Sequence, residues 1–185
     1  MQIYKQLKIL TSRPSPIYLK MAKHHLYGFQ SVKDNFSAGQ WLQLVISKIN
    51  KCLANQKTPI IVGGTGLYFK SLTDGLVKIP NIPKDLRSKV RKLQKKIGQD
   101  NFFRKLIEID PLVEKFISPA DTQRSIRAYE VKKFTKKSFF IFKKETKPNF
   151  NTTIFNKIFI NIPKELLHKA IDTRTETMFK EGVID

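Results

Sequence analysis

The glycine-rich turn Gly63-Gly64-Thr65-Gly66 is the segment whose residue types point most directly to chemistry. It follows the apolar run 59–62, which is typical of a buried strand, and precedes a stretch of helical character at 67–72. Glycines permit positive φ angles and let backbone N–H groups approach a ligand, so such a turn can bind an anion or a polar group. Thr65 adds a hydroxyl to the turn.

The turn matches neither of the two common nucleotide-binding patterns. A Walker A loop needs Gly-Lys-Ser/Thr, which does not follow here, and Phe69 stands where a dinucleotide fingerprint has its third glycine. A tight strand-to-helix turn without a ligand therefore stays open as the alternative.

A second candidate site is a basic segment at the start of a predicted helix, which Asp121 is placed to cap. Two arginines and an amide occupy its first turns: Gln123, Arg124 and Arg127. Guanidinium groups and an amide match phosphate oxygens and base edges, so the pattern favours contact with nucleic acid. Ile126 is expected to face the core. The alternative, which stays open, is a solvated helix face whose arginines pair with Glu130.

No other group of residues predicts catalysis or metal binding. His24 and His25 are adjacent, so both cannot face one site from a helix, and a structural role is the better interpretation. No set of Cys, His and Asp has the spacing of a metal site. No serine, cysteine or carboxylate pair has the arrangement of a nucleophile with its base.

The chain of 185 residues has 35 Lys+Arg against 15 Asp+Glu, a formal net charge of +20. This charge indicates a polyanionic partner such as nucleic acid, although biased lysine usage is an equal alternative. Residues 122–148 hold nine Lys/Arg and two Glu and are the better candidate footprint. The single Cys52 excludes an internal disulfide, and the apolar runs are too short to span a bilayer. With no secretory signal visible, we expect a cytoplasmic protein.

The elements that must position these residues have α/β character. A helix is predicted over 37–54, followed by the strand at 59–62, the glycine turn and a short helix, an order that implies a parallel sheet. Residues 80–135 read as successive helices with a break at Gly98. Strand character returns at 157–162, before a helix that starts at Pro163. We predict an α/β core over 1–79 and 136–185, interrupted by a helical insertion over 80–135.

Several segments, taken in order, resemble the tRNA dimethylallyltransferase (tRNA isopentenyltransferase) family. The most specific is 59–68, Pro-Ile-Ile-Val-Gly-Gly-Thr-Gly-Leu-Tyr, and 121–130 is similar to the family's Asp-x-Gln-Arg-x-x-Arg-Ala-x-Glu. Shorter matches are Met1-Gln2-Ile3-Tyr4, His24-His25-Leu26, Phe36-Ser37-Ala38, Asp110-Pro111 and the helix with Arg174, Met178 and Gly182. The resemblance covers essentially the whole chain.

The resemblance implies a P-loop-NTPase-like parallel-sheet core with a helical insertion. It implies transfer of a dimethylallyl group from dimethylallyl diphosphate to the N6 amine of a tRNA adenine next to the anticodon, assisted by Mg²⁺. Thr65 would contact the substrate at the reaction channel, and Arg174 would neutralise the diphosphate. The residues implied to bind tRNA are Met1, Gln2, Thr65, Arg87, Gln123, Arg124, Ser125, Ile126 and Arg127. The implied partners are tRNA and dimethylallyl diphosphate, with no membrane, and we expect a monomer.

The chain departs from the family pattern as though truncated at both ends. The Gly-x-Thr-x-x-Gly-Lys-Ser/Thr loop that cradles the diphosphate, and the aspartate taken as general base, would both precede Met1. We therefore expect an incomplete core and impaired transfer, because leaving-group stabilisation and proton removal lack their main residues. The alternatives are a non-catalytic RNA-binding fragment and another relative of the P-loop enzymes.

Overall fold

Helices are the main regular elements of this protein. The computed structural model describes residues 2–11, 13–151 and 154–184. In chain order the helices are α1 (Pro16–Met21), α2 (Ala38–Ala54), α3 (Gly66–Thr73), α4 (Lys84–Ile109), a 3-10 helix (Pro111–Lys115), α5 (Thr122–Thr135), α6 (Phe139–Lys144) and α7 (Lys164–Lys180). Across the described residues, no helix combines the length and apolar character needed to cross a lipid bilayer.

The chain divides into two compact units. The first unit comprises Met1–Thr73 and Asn149–Asp185, and the second comprises Asp74–Pro148. Sequence reasoning placed the ends of the helical insertion at residues 80 and 135. The assignment of a core interrupted by an inserted domain remains a prediction.

In the first unit, α2 forms where the sequence predicts a helix. The Ser37 hydroxyl accepts a hydrogen bond from the Gln40 backbone N–H at 3.2 Å, and the Gln40 side chain accepts one from the Ser37 N–H at 2.9 Å. This reciprocal cap satisfies two backbone donors at the helix start. Four apolar side chains at helical spacing are buried: Trp41, Leu42, Val45 and Ile49. The helix predicted over 37–54 is therefore confirmed.

The structure does not show the predicted parallel sheet. Residues 59–62 and 157–162 have no regular secondary structure, and the Ile158 and Phe159 side chains are 84% and 89% exposed. Among the described residues, β pairing is limited to an isolated parallel bridge between Tyr4 and Gln30. A buried strand forms only when neighbours accept its hydrogen bonds and cover its side chains. Neither predicted strand has such a neighbour within the described ranges.

The second unit encloses an apolar core between its helices. Gly98 interrupts α4 with φ 78° and ψ 169°, a left-handed backbone conformation that glycine adopts at little steric cost. The predicted helix break at Gly98 is therefore confirmed. The core includes the side chains of Phe102, Leu106, Val113 and Tyr129. The rings of Phe102 and Tyr129 pack with their centroids 5.0 Å apart.

Candidate functional site

Two arginines and one buried carboxylate form the centre of the candidate site in the second unit. Glu130 lies on α5 with its side chain 2% exposed, whereas Arg87 of α4 is 45% exposed. Glu130 Oε2 lies 3.6 Å from Arg87 Nε and 3.3 Å from Arg127 Nη1. We call Arg87, Arg127 and Glu130 the Glu130 cluster.

The Glu130 cluster carries one net positive charge, because two guanidinium groups share one carboxylate. A buried carboxylate is costly unless it is paired, so Glu130 holds both guanidinium groups beside it. The Arg127 side chain is 40% exposed. Its remaining N–H donors therefore face solvent, while the ion pair with Glu130 restrains the direction of the guanidinium group. A guanidinium group restrained in this way is suited to bind a phosphate group. The pairing with Glu130 that the alternative interpretation expects is therefore present at Arg127, but Glu130 itself is buried and not solvated.

Arg124 extends this positive surface along α5. Its Nη1 lies 3.3 Å from Asp121 Oδ2, and its side chain is largely exposed. Asp121 also caps α5 by accepting a hydrogen bond from the Arg124 backbone N–H at 3.0 Å, which confirms the predicted cap. An exposed ion pair contributes little to stability, so the Arg124 guanidinium can exchange its partner for another anion. Gln123 is exposed beside it.

Ser125 and Ile126 belong to the same predicted tRNA-binding segment, but their side chains are buried. The Ser125 hydroxyl donates to the Asp121 carbonyl at 2.7 Å, and the Gln99 amide donates to that hydroxyl at 3.3 Å. Ile126 packs in the apolar core, as the helical spacing predicts. Buried side-chain atoms cannot contact RNA, so these two side chains hold α5 in place. Any side-chain contact with a ligand on this face of α5 is therefore restricted to the exposed neighbours.

The glycine turn around Thr65 is exposed in the first unit. The Thr65 carbonyl accepts a hydrogen bond from the Tyr68 N–H at 3.0 Å at the start of α3. The turn does not use the positive φ angles that glycine permits: among the described residues the glycines with positive φ are Gly28, Gly75, Gly98 and Gly182. A Cβ at Gly64 or Gly66 would meet no atom within 4 Å. The packing of the described chain therefore does not require these two glycines, and the turn has room for an approaching ligand.

Arg174 lies on α7 beside a wide cavity of about 860 Å³ in the first unit. Its Nη2 donates a hydrogen bond to the Leu10 carbonyl at 3.1 Å. Lys8 and Arg13 line the same cavity, and Glu181 is the one carboxylate among the described lining residues. Three cations around one cavity favour an anion such as a diphosphate. Thr65 is not among the lining residues, so the structure does not bring the two predicted catalytic residues to this cavity.

Arg13 is a candidate that sequence reasoning missed. Its guanidinium donates to the carbonyl of Tyr4 at 2.6 Å and also to that of Lys5. Its Nε is buried with no hydrogen-bond partner in the described part of the chain. Gly28 makes room for this side chain, because a Cβ at position 28 would overlap the guanidinium. No local pattern signals Arg13, since its contacts join residues that are distant along the chain.

The start of the chain carries two further predicted tRNA contacts. Met1 lies outside the described residues. The Gln2 side-chain amide donates to the Thr11 carbonyl at 3.0 Å, and the Gln2 carbonyl accepts a hydrogen bond from the Gly28 N–H at 2.9 Å. These bonds hold the segment against residues of the same unit. Its contact with tRNA remains a prediction.

The Mg²⁺ ion implied by the resemblance lacks a ligand set in the described residues. No three His, Cys, Asp or Glu side chains lie close enough together there to hold a metal ion. A magnesium site needs carboxylate oxygens, and Glu130 and Asp121 already pair with arginines. The described residues therefore offer no site of three or more such ligands for a resident Mg²⁺ ion, and no step below depends on one.

The adjacent histidines have local, structural surroundings. His24 Nδ1 lies 2.8 Å from the Ala22 carbonyl oxygen, and its ring meets the Tyr27 ring edge to face at 5.8 Å. Burial, and then the positive charge of Lys48, lower the pKa of His25 below the ordinary value of 6.5. His24 also lines the cavity beside Arg174, so the structural interpretation of the two histidines remains a prediction.

Comparison with known proteins matches residues 2–185 to the IPP transferase family. A tRNA dimethylallyltransferase of Pelagibacter ubique (strain HTCC1062) is 50% identical over 184 residues, covering 100% of this chain and 59% of the relative. A tRNA dimethylallyltransferase of Rickettsia bellii (strain OSU 85-389) is 42% identical over 189 residues, with the same coverage of 100% and 59%. The chain thus spans 59% of the length of these curated relatives.

Two solved structures are also similar. A eukaryotic dimethylallyltransferase acting on tRNA has a TM-score of 0.77 at 23% identity, over 98% of this chain and 45% of that chain, a similarity that shows the fold alone. The full-length tRNA isopentenylpyrophosphate transferase of Bacillus halodurans has a TM-score of 0.59 at 25% identity, over 100% of this chain and 56% of that chain. Because the family match runs along nearly the whole sequence and the relatives align with all of it, the chain belongs to the IPP transferase family.

Proposed function

We propose that this chain provides part of a tRNA dimethylallyltransferase, which transfers a dimethylallyl group from dimethylallyl diphosphate to the N6 amine of an adenine next to the anticodon. Family membership and the named activity of the relatives support this reaction. The observation that carries the proposal for this chain is the positive surface of α5, where Arg124 adjoins the Glu130 cluster. That surface has the charge and the restrained geometry to bind the tRNA backbone.

The proposed reaction forms one bond and breaks one. The adenine N6 attacks C1 of dimethylallyl diphosphate, the C1–O bond breaks, and pyrophosphate leaves with the bonding electron pair. The extra proton on N6 passes to a base. In this proposal Arg174, together with Lys8 and Arg13 at the same cavity, stabilises the charge that develops on the pyrophosphate. Thr65 contacts the substrate at the reaction channel.

Four exposed or half-buried side chains hold the tRNA in this proposal: Arg87, Gln123, Arg124 and Arg127. Met1, Gln2 and Thr65 contact the tRNA nearer to the reacting adenine. The adenine must leave its stack to enter the channel, which costs a few kcal/mol of stacking that the backbone contacts offset. We also propose that the chain is a monomer, which light scattering of the purified protein would test.

We propose that residues 59–62 and 157–162 become strands of a P-loop-type parallel sheet in the longer architecture of the family. Segment 59–62 is apolar, 157–162 is apolar apart from Lys157 and Asn161, and Ile60 and Ile158 are largely exposed. The relatives have further chain outside the match, since this sequence covers 59% of the Pelagibacter protein. A strand from that additional chain would cover the exposed side chains and accept their backbone hydrogen bonds.

Transfer by these 185 residues alone is proposed to be strongly impaired. The sequence contains no Gly-Lys-Ser/Thr, so it lacks the loop that cradles a diphosphate in the P-loop pattern. The purified chain should transfer labelled dimethylallyl to unmodified tRNA at least about a hundredfold more slowly than the full-length Pelagibacter relative. Adding the portion of that relative outside the match should raise the rate. Transfer by the chain alone at the relative's rate would contradict the impairment.

The second candidate function is RNA binding without catalysis, which the basic segment 122–148 favours. The double variant R124A/R127A should weaken tRNA binding and lower the magnitude of the salt slope by about two, because two phosphate contacts are lost. K57A, on the connector after α2 in the first unit, is the matched control and should leave both quantities near wild type. Pyrophosphate binding that is lost in R174A supports the transferase. Tight tRNA binding without any pyrophosphate binding supports the RNA-binding alternative.

A further inference from the structure

A second, smaller cavity of about 330 Å³ lies in the second unit, beside the 3-10 helix, α5 and α6. Its lining includes three aromatic and three basic side chains: Phe116, Phe139, Phe140, Arg124, Arg127 and Lys143. The two arginines belong to the positive surface described above, whereas the aromatic residues and Lys143 have no role in the proposed reaction. The cavity therefore combines aromatic rings and cations that the proposed reaction does not use together.

The aromatic side of the cavity is a tilted pair of rings, one of which is half exposed. The rings of Phe116 and Phe140 have centroids 4.5 Å apart and planes inclined by 31°. Phe140 is buried, but Phe116 is 54% exposed. Phe139 packs edge to face on Phe140 at 5.6 Å and steadies the pair from a second direction. An exposed ring supported in this way provides a flat apolar face for a planar group.

The basic side of the cavity favours a polyanion. No carboxylate occurs among the described residues that line it. Arg124 and Arg127 each pair with one acidic residue, Asp121 and Glu130 respectively, but both keep donors exposed to solvent. The positive charge also continues beyond the cavity, with nine Lys/Arg and two Glu over 122–148. Charge of this extent suits a nucleic-acid strand better than a single small diphosphate.

We propose that this cavity binds one unpaired nucleotide of the bound RNA, with its base stacked on Phe116 and its flanking phosphates held by Arg124, Arg127 and Lys143. The volume is at the lower end of ligand pockets and suits one nucleotide. Single-stranded RNA is commonly recognised in this way, by aromatic stacking combined with backbone cations. The inference rests on the proposed function, because it requires that the chain binds RNA.

The test measures binding of the full chain to an anticodon stem-loop RNA with 2-aminopurine in its loop. F116A should weaken binding by about tenfold with an unchanged salt slope, because a stacking contact is lost and no phosphate contact is lost. It should also reduce the quenching of 2-aminopurine that accompanies stacking. F116W should restore both, since it keeps an aromatic face. K143Q should weaken binding and lower the magnitude of the salt slope by about one.

F134A is the matched control, because Phe134 is a partly exposed phenylalanine of α5 that does not line the cavity. It should bind the RNA as wild type does. The inference is overturned if F116A binds as tightly as wild type, if F134A weakens binding equally, or if F116A weakens binding of dimethylallyl diphosphate instead. In those cases the proposed function would still stand if R124A/R127A binds tRNA more weakly than wild type. Failure of the wild-type chain to bind any RNA would overturn both.

Discussion

The two units of this chain differ in how completely they bury their apolar side chains. In the second unit Phe102, Leu106 and Val113 are inaccessible to solvent. In the first unit Ile60, Val62 and the mostly apolar segment 157–162 are exposed. A helix satisfies its backbone hydrogen bonds within one segment, whereas a strand depends on neighbours for its own. The helical unit can therefore complete its core from one continuous stretch of chain. The predicted sheet cannot form in this way, because each strand needs a neighbouring strand.

The same difference extends to the candidate sites. α5, which carries Arg127, has six buried residues, and Glu130 is one of them. α7, which carries Arg174, has no buried residue among those described. A side chain on a well-packed helix is held more firmly, because the helix can move less without disrupting packing. The positive surface of α5 is thus organised by its own unit, while Arg174 has one hydrogen bond to Leu10 to restrain it.

The largest expected effect comes from the core of the second unit. Leu106→Ala should lower the free energy of unfolding by about 3 kcal/mol, because it removes buried methyl groups and leaves a cavity. Ile158→Ala in the first unit is the control and should change it by less than about 0.5 kcal/mol, since that side chain is exposed. Urea unfolding followed by circular dichroism measures both. Equal losses would contradict the difference in burial between the units.

Glu130→Gln should come next in magnitude. The variant removes the charge that pairs both guanidinium groups, so the free energy of unfolding should fall by about 1–2 kcal/mol, less than for a fully buried pair because the arginines are half exposed. Binding of tRNA should weaken as well, since the guanidinium groups lose their common anchor. Glu145→Gln, at the exposed end of α6, is the matched control for charge. An effect of the same size in both variants would show that net charge, and not positioning, matters.

A smaller effect is expected at the start of α2, the best-packed helix of the first unit. Ser37→Ala should cost about 1 kcal/mol of unfolding free energy, because the helix loses its reciprocal cap with Gln40. Ser47→Ala, at an exposed position inside the same helix, should change stability by less than about 0.5 kcal/mol. If Ser37→Ala is also neutral, the first unit does not depend on α2 for its stability.

The smallest expected effect is a pH dependence at His25. Because the pKa of His25 is lowered from 6.5 in the folded chain, the unfolded chain binds the proton more readily. Stability contributed by this residue is therefore present above pH 6.5 and lost as the pH falls through the lowered pKa. The loss of stability should be slight in the wild-type chain and absent in His25→Gln. The difference between the two pH profiles therefore isolates the contribution of His25. If the wild-type chain instead becomes more stable than the variant as the pH falls, the lowered pKa of His25 would be contradicted.

The candidate site could be predicted in part from sequence. The Asp121 cap, the burial of Ile126 and the exposure of Gln123 and Arg124 follow from helical spacing, which is a local property. The burial of Glu130 does not, because it depends on how α4 packs over α5. Ser125 shows the same limit: the family resemblance implied an RNA contact for it, and packing buried its side chain.

The sequence by itself determined helix α2, the break at Gly98 and the start of α5. Ser37, Gly98 and Asp121 act through hydrogen bonds and backbone angles within a few residues, so their effects can be read from the residue types. Only the tertiary structure decided that Glu130 is buried and also pairs with Arg87, that Gly28 makes room for Arg13, and that Ile60, Val62 and 157–162 lie exposed. These outcomes depend on contacts between residues far apart in the chain, and neither propensity nor periodicity specifies such contacts.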